Sequence, residues 1–541
     1  MQRLKGFNKF VFPEKVAWFA IGFGIVVRVA QYIWNRSLWA DEAVLALNIV
    51  NRSFWELLQP LDYDQGAPLG FLMVEKLAVE VFGNNEYALR LFPLICGVVS
   101  LVLFYQLANR FIQGWGVTIA VGLFASLHYL VYYSSEVKQY SCDLAIALLC
   151  SLISLRLLRQ KLGIYEMIIL SLGGAIAIWF SHPAIFVLAG VGGSCFLLKL
   201  VKKENIKLAN YLVIYSSWII SFVAFYLISI KNLSGDEDLL TSWRAAFPSF
   251  PLDIIWYLDA FGKFFYRPLG FNGPFDGLAI IIFVVGCIAC YRRNKQALLI
   301  IVSPILVTFL ASALQKYPFR SRLVLFLTPF VILLIAEGVD YIRSQTRYIA
   351  VCSRIRYTFV CVAAALMLPL HKLSLKALLH SLAICCKFAP IVNILLLFLL
   401  LAPPIASASQ LLVKPYLRGE IKPVLSYIKT NQQPGDTLYI YQRGKYQFIY
   451  YAEKFGYQKG DYIIGVDDLD KYDGKKLSEA EWQRYKNDLD KLRGNKRVWL
   501  LFSHATVASE NKKIKSYLDT IGKQINFFER PGAFVYLYDL S

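Results

Sequence analysis

The sequence predicts a mainly α-helical protein that crosses a membrane many times and ends in a small soluble α/β domain. Of its 541 residues, 57% are hydrophobic and only 17% are charged, whereas soluble domains carry roughly 25% charged residues. Many stretches reach the ~20 apolar residues that a helix needs to cross a hydrocarbon core of about 30 Å. Clusters of Lys and Arg recur between alternate pairs of these stretches, as expected for a chain that crosses back and forth.

The first predicted span, Val16–Trp34, follows several basic residues, so we expect a cytoplasmic N-terminus. A cleaved signal peptide is the alternative, but the apolar stretch is long for one and no convincing small-residue cleavage site precedes Asp41. Further spans are predicted at residues 89–109, 115–133, 142–157, 164–181, 183–200, 211–230, 277–291, 297–314 and 323–341. Because residues 345–404 fit either one span or three, about 11–13 spans are expected in total.

The same topology sorts the connections between two sides of the membrane. Basic clusters assign one set to the cytoplasm. The opposite side receives residues 35–88, 134–141, 181–183, 231–275 and 315–322. All ten cysteines lie between Cys96 and Cys386, in or beside predicted spans and without a supported metal or redox pattern. This cysteine use is compatible with a bacterial inner membrane.

The net charge of +20 does not indicate a nucleic-acid partner. From Pro415 onward the chain has 21 Lys and Arg against 16 Asp and Glu. Most of the excess therefore belongs to the membrane part, where cytoplasmic loops are enriched in Lys and Arg. We expect membrane lipids, and no nucleic acid, among the partners.

Residues 411–541 are predicted to form a separate α/β domain on the periplasmic side, with residues 1–410 as the membrane domain. Strands are predicted at 437–441, 462–466, 497–503 and 533–540, and helices near 419–430, 446–456, 478–493 and 509–522. This alternation favours a partly parallel sheet. The domain has no phosphate loop, nucleophile elbow or metal cluster in its sequence, and its lone His504 is interpreted as structural. We expect it to shape or cover a site.

Chemistry is expected at the outer ends of the spans, because ionisable groups are costly within a membrane and mark function there. Asp41 and Glu42 directly follow the first span. A carboxylate at that boundary can act as a general base toward a dissolved acceptor. The alternative is a helix N-terminus, where the dipole favours acidic residues.

Three other outer connections carry candidate residues. Asp64 follows Asp62 in an Asp-x-Asp pattern that would suit Mg²⁺, although a capped turn is the alternative. Residues 135–143 hold Glu136, Lys138 and Tyr140, for which an interfacial belt is the alternative. Residues 316–322 hold two arginines that would bind a lipid phosphate or pyrophosphate. The alternative is that their side chains extend to the lipid headgroups. The candidates in these connections and in the 181–183 turn are Asp64, Glu136, Lys138, Tyr140, His182, Arg320 and Arg322.

The order of these motifs resembles the type C (GT-C) integral-membrane glycosyltransferases. The resemblance rests on Asp41-Glu42, the Ala67-Pro-Leu-Gly-Phe71 segment, Phe82–Pro93, Glu136-x-Lys138-x-Tyr140 and Tyr317-Pro-Phe-x-x-Arg322. It is greatest to the bacterial members that are akin to protein O-mannosyltransferases (family 39), the lipid A aminoarabinose transferase and the RgtA/B/C/D-like group. The resemblance implies a polytopic GT-C fold. It also implies transfer of a sugar, with inversion, from a polyprenyl-phosphate donor to an acceptor outside the cytoplasm, which would be a lipid, a glycan or a protein.

At the matching positions, the resemblance implies that Asp41 is the catalytic base and that Glu42 is its neighbour. It implies that Glu136 and Lys138 shape the side of the site that receives the acceptor and the phosphate. Arg320 and Arg322 would bind the phosphate. No cofactor is expected, although a divalent metal would be compatible. Two departures, Ala67 in place of a usual Lys or His and Lys138 in place of Arg, imply rearranged phosphate contacts in which Arg320, Arg322 or His182 take part. A lipid-linked-sugar flippase is the alternative function, and a scaffold whose tail binds a partner is a third.

Overall fold

The computed structural model describes residues 11–204, 207–231, 243–346, 372–467, 478–504 and 508–541. Within them, nine helices are long and apolar enough to cross a membrane, or ten if one bent pair counts as a span. One five-stranded sheet lies at the C-terminal end. The prediction of a polytopic helical protein with a small α/β domain is confirmed. The one-or-three count for residues 345–404 falls partly on 347–371, outside the described residues.

The membrane part is a bundle of helices, and most predicted spans correspond to helices that are long enough to cross a membrane. Its helices are α1 (Val11–Ile33), α2 (Ala40–Asn51), α3 (Leu69–Phe82), α4 (Glu86–Phe111), α5 (Trp115–Ser126), α6 (His128–Tyr132), α7 (Tyr140–Ser154), α8 (Ile164–Phe180), α9 (Ala184–Val187), α10 (Gly193–Val201), α11 (Leu208–Phe225), α12 (Ile254–Phe264), α13 (Pro274–Arg293), α14 (Lys295–Ala313), α15 (328–346) and α16 (Lys372–Val413). The predicted span 164–181 is a shorter apolar helix, Ile164–Phe180. Helices α2 and α3 belong to the long connection that is predicted on the outer side, and they lie beside the bundle's end.

One predicted span, 115–133, is not a straight helix. The chain bends by 58° between α5 and the segment that begins with α6, because Leu127 is extended (φ −62°, ψ 127°). Such a break frees carbonyl groups that must find other donors in a membrane. The buried guanidinium of Arg28 donates to the carbonyls of Ala125 (3.1 Å) and Phe124 (3.2 Å). Arg28 therefore stabilises the bend by donating to the carbonyls that it frees.

Helices α13 and α15 approach closely enough that only glycine fits at their contact. A Cβ atom on Gly286 would meet the carbonyl of Leu334, and one on Gly338 would meet the carbonyl of Ile282. By contrast, Gly277 on the same α13 has open space around its Cβ position. Small residues allow helix backbones to pack closely in membranes, so this contact fixes the spacing of the two spans.

The C-terminal domain is a five-stranded sheet with helices on its faces. The helices are α17 (Ile421–Asn431), α18 (Lys445–Ala452), α19 (Glu479–Asp490) and α20 (Ala508–Ile521), and the strands are β1 (Thr437–Ile440), β2 (Ile463–Ile464), β3 (Val498–Ser503), β4 (Lys523–Arg530) and β5 (Ala533–Asp539). The strand order is β2-β1-β3-β5-β4. Strands β2, β1 and β3 are parallel, whereas β5 runs antiparallel to β3 and β4. The sheet is thus partly parallel, as predicted, with β4 as an additional edge strand.

This domain docks on the bundle through the segment that precedes α2. The carboxylate of Glu420 accepts hydrogen bonds from the backbone and hydroxyl of Ser37, at 3.1 and 3.0 Å. The Tyr451 hydroxyl accepts from the backbone of Leu38 and donates to Glu86, each at 2.8 Å. These bonds are buried, so the domain and the Asp41-Glu42 turn form one continuous structure.

Candidate active site

Asp41 and Glu42 lie in the first turn of α2, but their carboxylates point in different directions. Trp39 is the N-cap residue, with extended backbone, and Glu42 closes the turn by accepting from the Trp39 backbone at 3.2 Å. This bond is one half of a capping box; the Trp39 side chain does not supply the other half, because an indole has an N–H donor and no acceptor. Glu42 is fully buried, whereas Asp41 keeps 20% of its side chain exposed. The turn therefore divides the pair into an interior group and a group at the surface of the site.

Glu42 is held by an almost complete set of hydrogen bonds. Arg90 donates to it from Nε at 3.0 Å and from Nη2 at 2.9 Å, and the backbone of Val137 donates at 2.9 Å. Although burial alone would raise the pKa of Glu42, the charges of Arg90 and Arg36 hold it below its ordinary value. A carboxylate with its oxygens occupied in this way supports its neighbours rather than reacting.

Asp41 lies between two cations that come from distant parts of the chain. Lys138 Nζ is 3.1 Å from Oδ1, and Arg322 Nη1 is 2.8 Å from Oδ2. Burial alone would raise the pKa of Asp41, but the charges of Lys138 and Arg322 bring it well below the ordinary value. Asp41 is therefore an ionised carboxylate in contact with two phosphate-binding residue types.

Glu136 lies behind Trp39. One of its oxygens accepts from the indole Nε1 at 2.5 Å, and the other is buried without a hydrogen-bond partner among the described residues. Burial and the nearby charge of Glu42 raise the pKa of Glu136. Residues 136–139 are not helical, and α7 begins only at Tyr140. Glu136 therefore lies outside the helix that Tyr140 begins.

Aromatic rings frame the cations around Asp41. The Arg322 guanidinium lies 5.7 Å from the Trp39 ring and 5.5 Å from the Tyr140 ring. Two residues of the C-terminal part also reach Trp39: the Arg418 guanidinium at 3.5 Å and the His504 ring at 5.9 Å. Burial and the charge of Arg418 lower the pKa of His504 to about 4, so this imidazole is neutral at pH 7.

Asp64 lies in the connection between α2 and α3, next to Gln65, which contacts the site through Lys138. It is exposed in a turn with φ +54° and lines a cavity of about 230 Å³ together with Gln65. The Gln65 side chain accepts from Lys138 Nζ at 2.8 Å. Its neighbour in the predicted metal pattern, Asp62, pairs with Arg52 at 2.8 Å. Among the described residues, no group of three or more His, Cys, Asp or Glu has an arrangement that would hold a metal ion.

Arg320 and His182 lie away from the Asp41 cluster. Arg320 is extended and Ser321 turns the chain with φ +48°, so Arg320 lines a separate cavity of about 150 Å³ with Lys263 and Arg267. The expected side-by-side arrangement of Arg320 and Arg322 is therefore not found. The His182 ring packs 5.4 Å from Phe225, and burial lowers its pKa to about 4.

Several site residues were not predicted from the sequence. Arg90 belongs to one of the motifs that carry the resemblance but has no assigned role there, and Trp39 lies two residues before Asp41. Both had a local signal, since each adjoins a motif. Arg418 and His504 had none, because only the tertiary fold brings them to Trp39 across more than 370 residues.

Comparison with known proteins bears on this arrangement. Residues 66–229, less than half of the chain, match the family described as dolichyl-phosphate-mannose-protein mannosyltransferase. The fold matches ArnT from Cupriavidus metallidurans, bound to undecaprenyl phosphate and in the apo state, each with a TM-score of 0.52 and 12% identity over 96% of this chain and 98% of ArnT. Archaeal AglB from Archaeoglobus fulgidus, in complex with an inhibitory peptide and a dolichol-phosphate, matches with a TM-score of 0.49 and 12% identity over 98% of this chain and 74% of AglB. No curated protein matches the sequence significantly.

The ArnT match confirms the predicted GT-C fold over nearly the whole chain. Together with the family match, it supports an integral-membrane glycosyltransferase.

Proposed function

We propose that this protein, with its GT-C fold, transfers a sugar from a polyprenyl-phosphate donor to an acceptor outside the cytoplasm. The acceptor is a lipid, a glycan or a protein. The observation that carries the proposal is the ionised Asp41, partly exposed at the end of the bundle and in contact with Lys138 and Arg322. The bound undecaprenyl phosphate in ArnT, whose fold this chain shares, supports a polyprenyl phosphate as the leaving group.

In the proposed reaction, Asp41 accepts the proton of the acceptor hydroxyl or amine as that group attacks the anomeric carbon of the sugar. The bond between this carbon and the phosphate oxygen breaks, the configuration inverts, and polyprenyl phosphate leaves with one additional negative charge. Arg322 and Lys138 would stabilise that developing charge. An arriving phosphate shares these cations with Asp41, so the carboxylate becomes a stronger base when the donor binds.

The cavity beside Asp64 and Gln65 is the proposed acceptor side. It opens next to Lys138 through the Gln65 contact of 2.8 Å. Its walls are mostly apolar, with five leucines and a few polar groups, which suits the apolar and hydroxyl-bearing surfaces of an amphipathic acceptor. Glu136 would orient this side indirectly, because it fixes the indole of Trp39.

The alternative function, a lipid-linked-sugar flippase, predicts charged groups along a path across the membrane. Arg28, the main ionisable residue inside a predicted span, instead donates to the carbonyls of Ala125 and Phe124 at the bend of α5 and α6. The candidate residues gather at one end of the bundle. This distribution favours the transferase.

The test is turnover by the purified protein in detergent with a panel of radiolabelled polyprenyl-phosphate sugars. We expect the wild-type protein to release or transfer sugar and Asp41→Asn to abolish this while folding and donor binding remain. Asp62→Asn is the matched control, since Asp62 is an exposed carboxylate of the same connection and pairs with Arg52. Unchanged turnover in Asp41→Asn would remove Asp41 from the mechanism. Lipid binding with transbilayer movement in liposomes, but no turnover, would favour the flippase.

A further inference from the structure

Arg418 occupies a fixed position between the membrane bundle and the C-terminal domain. It lies in the connection from α16 to α17. The Gly419 carbonyl after it accepts from Gln447 at 2.6 Å, and the Glu420 backbone donates to Pro531 at 2.9 Å. The Glu420 side chain is in turn bonded to Ser37. The backbone on the C-terminal side of Arg418 is therefore anchored both to its own domain and to the segment before Asp41.

The Arg418 side chain is oriented but not neutralised. Its guanidinium carbon lies 3.5 Å from the centroid of the Trp39 ring, a stacking distance at which the edge of the guanidinium stays available for hydrogen bonds. The residue is exposed. Among the described residues it has no carboxylate or hydrogen-bond partner, so the N–H donors of its guanidinium are available to a ligand.

This distinguishes Arg418 from the other cations near Asp41. Lys138 and Arg322 pair with Asp41, and Arg90 pairs with Glu42. In the described structure Arg418 is thus the uncompensated positive charge of the cluster, yet its field reaches Asp41 and contributes to lowering the pKa of that carboxyl. A cation placed in this way attracts an anion that approaches Asp41.

We propose that Arg418 binds the phosphate of the lipid donor, so that the C-terminal part of the chain completes the active site of the membrane bundle. The inference rests on the proposed function. During transfer the donor phosphate diester, with one negative charge, becomes a polyprenyl phosphate monoester with up to two. Arg322 and Lys138 must divide their charge between Asp41 and the phosphate, and the Arg418 fork supplies the additional donors for that leaving group.

The first test is binding of undecaprenyl phosphate to the full-length protein in nanodiscs at several salt concentrations. We expect Arg418→Gln to weaken binding about 10- to 100-fold, since it removes hydrogen bonds to a charged group, and to reduce the salt dependence. Arg418→Lys should retain part of the affinity because the charge remains but the fork is lost. Arg530→Gln is the matched control, because Arg530 is another exposed arginine of this domain stacked on a ring, 4.5 Å from Phe528.

Phosphatidic acid serves as a second probe, since it carries a phosphate monoester without an isoprenoid chain. A loss of undecaprenyl phosphate binding in Arg418→Gln, with Arg530→Gln unchanged, supports the assignment to the donor. If Arg418→Gln loses binding of phosphatidic acid only, Arg418 binds another lipid, and its assignment to the donor is overturned. Undecaprenyl phosphate affinity equal to wild type in Arg418→Gln would also overturn it. A melting temperature within experimental error of wild type excludes simple misfolding, and Arg418→Lys decides the case if Arg418→Gln is unstable.

This binding measurement separates the inference from the proposed function. If Arg418→Gln binds the lipid weakly but the wild-type protein transfers no sugar from any donor, the proposed function fails and the phosphate site stands. If the wild-type protein transfers sugar and Arg418→Gln equals it in both KM and kcat, the transferase stands and the role of Arg418 is refuted. The expected result for turnover is a higher KM for the donor together with a lower kcat, because more charge forms on the phosphate in the transition state.

Discussion

The buried pair of Arg90 and Glu42 should contribute strongly to the stability of the site. Arg90→Met removes the donors at 3.0 and 2.9 Å and leaves Glu42 with 0% of its side chain exposed. Breaking a buried ion pair from one side costs about 3–5 kcal/mol, because the remaining charge is uncompensated. The backbone donors of Val137 and Trp39 remain, so we expect a loss near the lower end of that range, about 3 kcal/mol.

The assay is a double-mutant cycle of unfolding free energies in mixed micelles of detergent and SDS. We expect Glu42→Gln combined with Arg90→Met to be less destabilised than the two single losses added together, by about 1–3 kcal/mol, since the residues touch. Arg52→Met is the control, because the Arg52–Asp62 pair has a similar distance of 2.8 Å but Asp62 is 54% exposed. Its loss should stay within about 1 kcal/mol. Additive costs, or a cost of Arg90→Met no larger than that of Arg52→Met, would refute the reasoning.

Two further predictions concern the pH profile and helix packing. Lys138→Met removes one of the cations that lower the pKa of Asp41, so the pKa rises and the acid limb of kcat/KM should move to higher pH; a limb that stays in place contradicts this assignment. Gly286→Ala should destabilise the protein by about 1–3 kcal/mol because its Cβ would meet the Leu334 carbonyl. Gly277→Ala on the same helix has open space and should be nearly neutral, so equal melting temperatures for the two variants would contradict the packing argument.

The sequence was sufficient to place Asp41, Lys138 and Arg322 at one end of the bundle. Ionisable residues are costly inside a membrane, so alternating apolar spans collect them in the short connections. The three connections that hold these residues were all predicted on the same side. Their direct contact at 2.8 and 3.1 Å depends on how the spans pack, which a hydropathy pattern does not encode.

Local backbone conformation limited the prediction at other positions. Arg320 and Arg322 are two residues apart, yet the positive φ of Ser321 and the start of a 3₁₀ turn direct Arg320 to the cavity that Lys263 lines and Arg322 to Asp41. The bend at Leu127 has no Gly or Pro at that position that would predict it. The carbonyls that the bend frees accept hydrogen bonds from Arg28 of another helix. Strand β4 lies at the sheet edge with charged residues at both ends, a composition that protects edges but resembles a loop.

The C-terminal domain does more than cover the site, because it holds the backbone that precedes Asp41. In the segment from Ser37 to Trp39, the amide of Ser37 bonds to Glu420, and the amide and carbonyl of Leu38 bond to Tyr451 and Gln447. The partners in these bonds all lie in the C-terminal domain, and they hold the backbone immediately before Asp41. The bundle holds the same segment through Arg90, which donates to the carbonyls of residues 36 and 37. A reactive group must be held to within about 0.5 Å by supporting contacts. Asp41 therefore depends on the docked domain for its position, and the same docking brings Arg418 to Trp39.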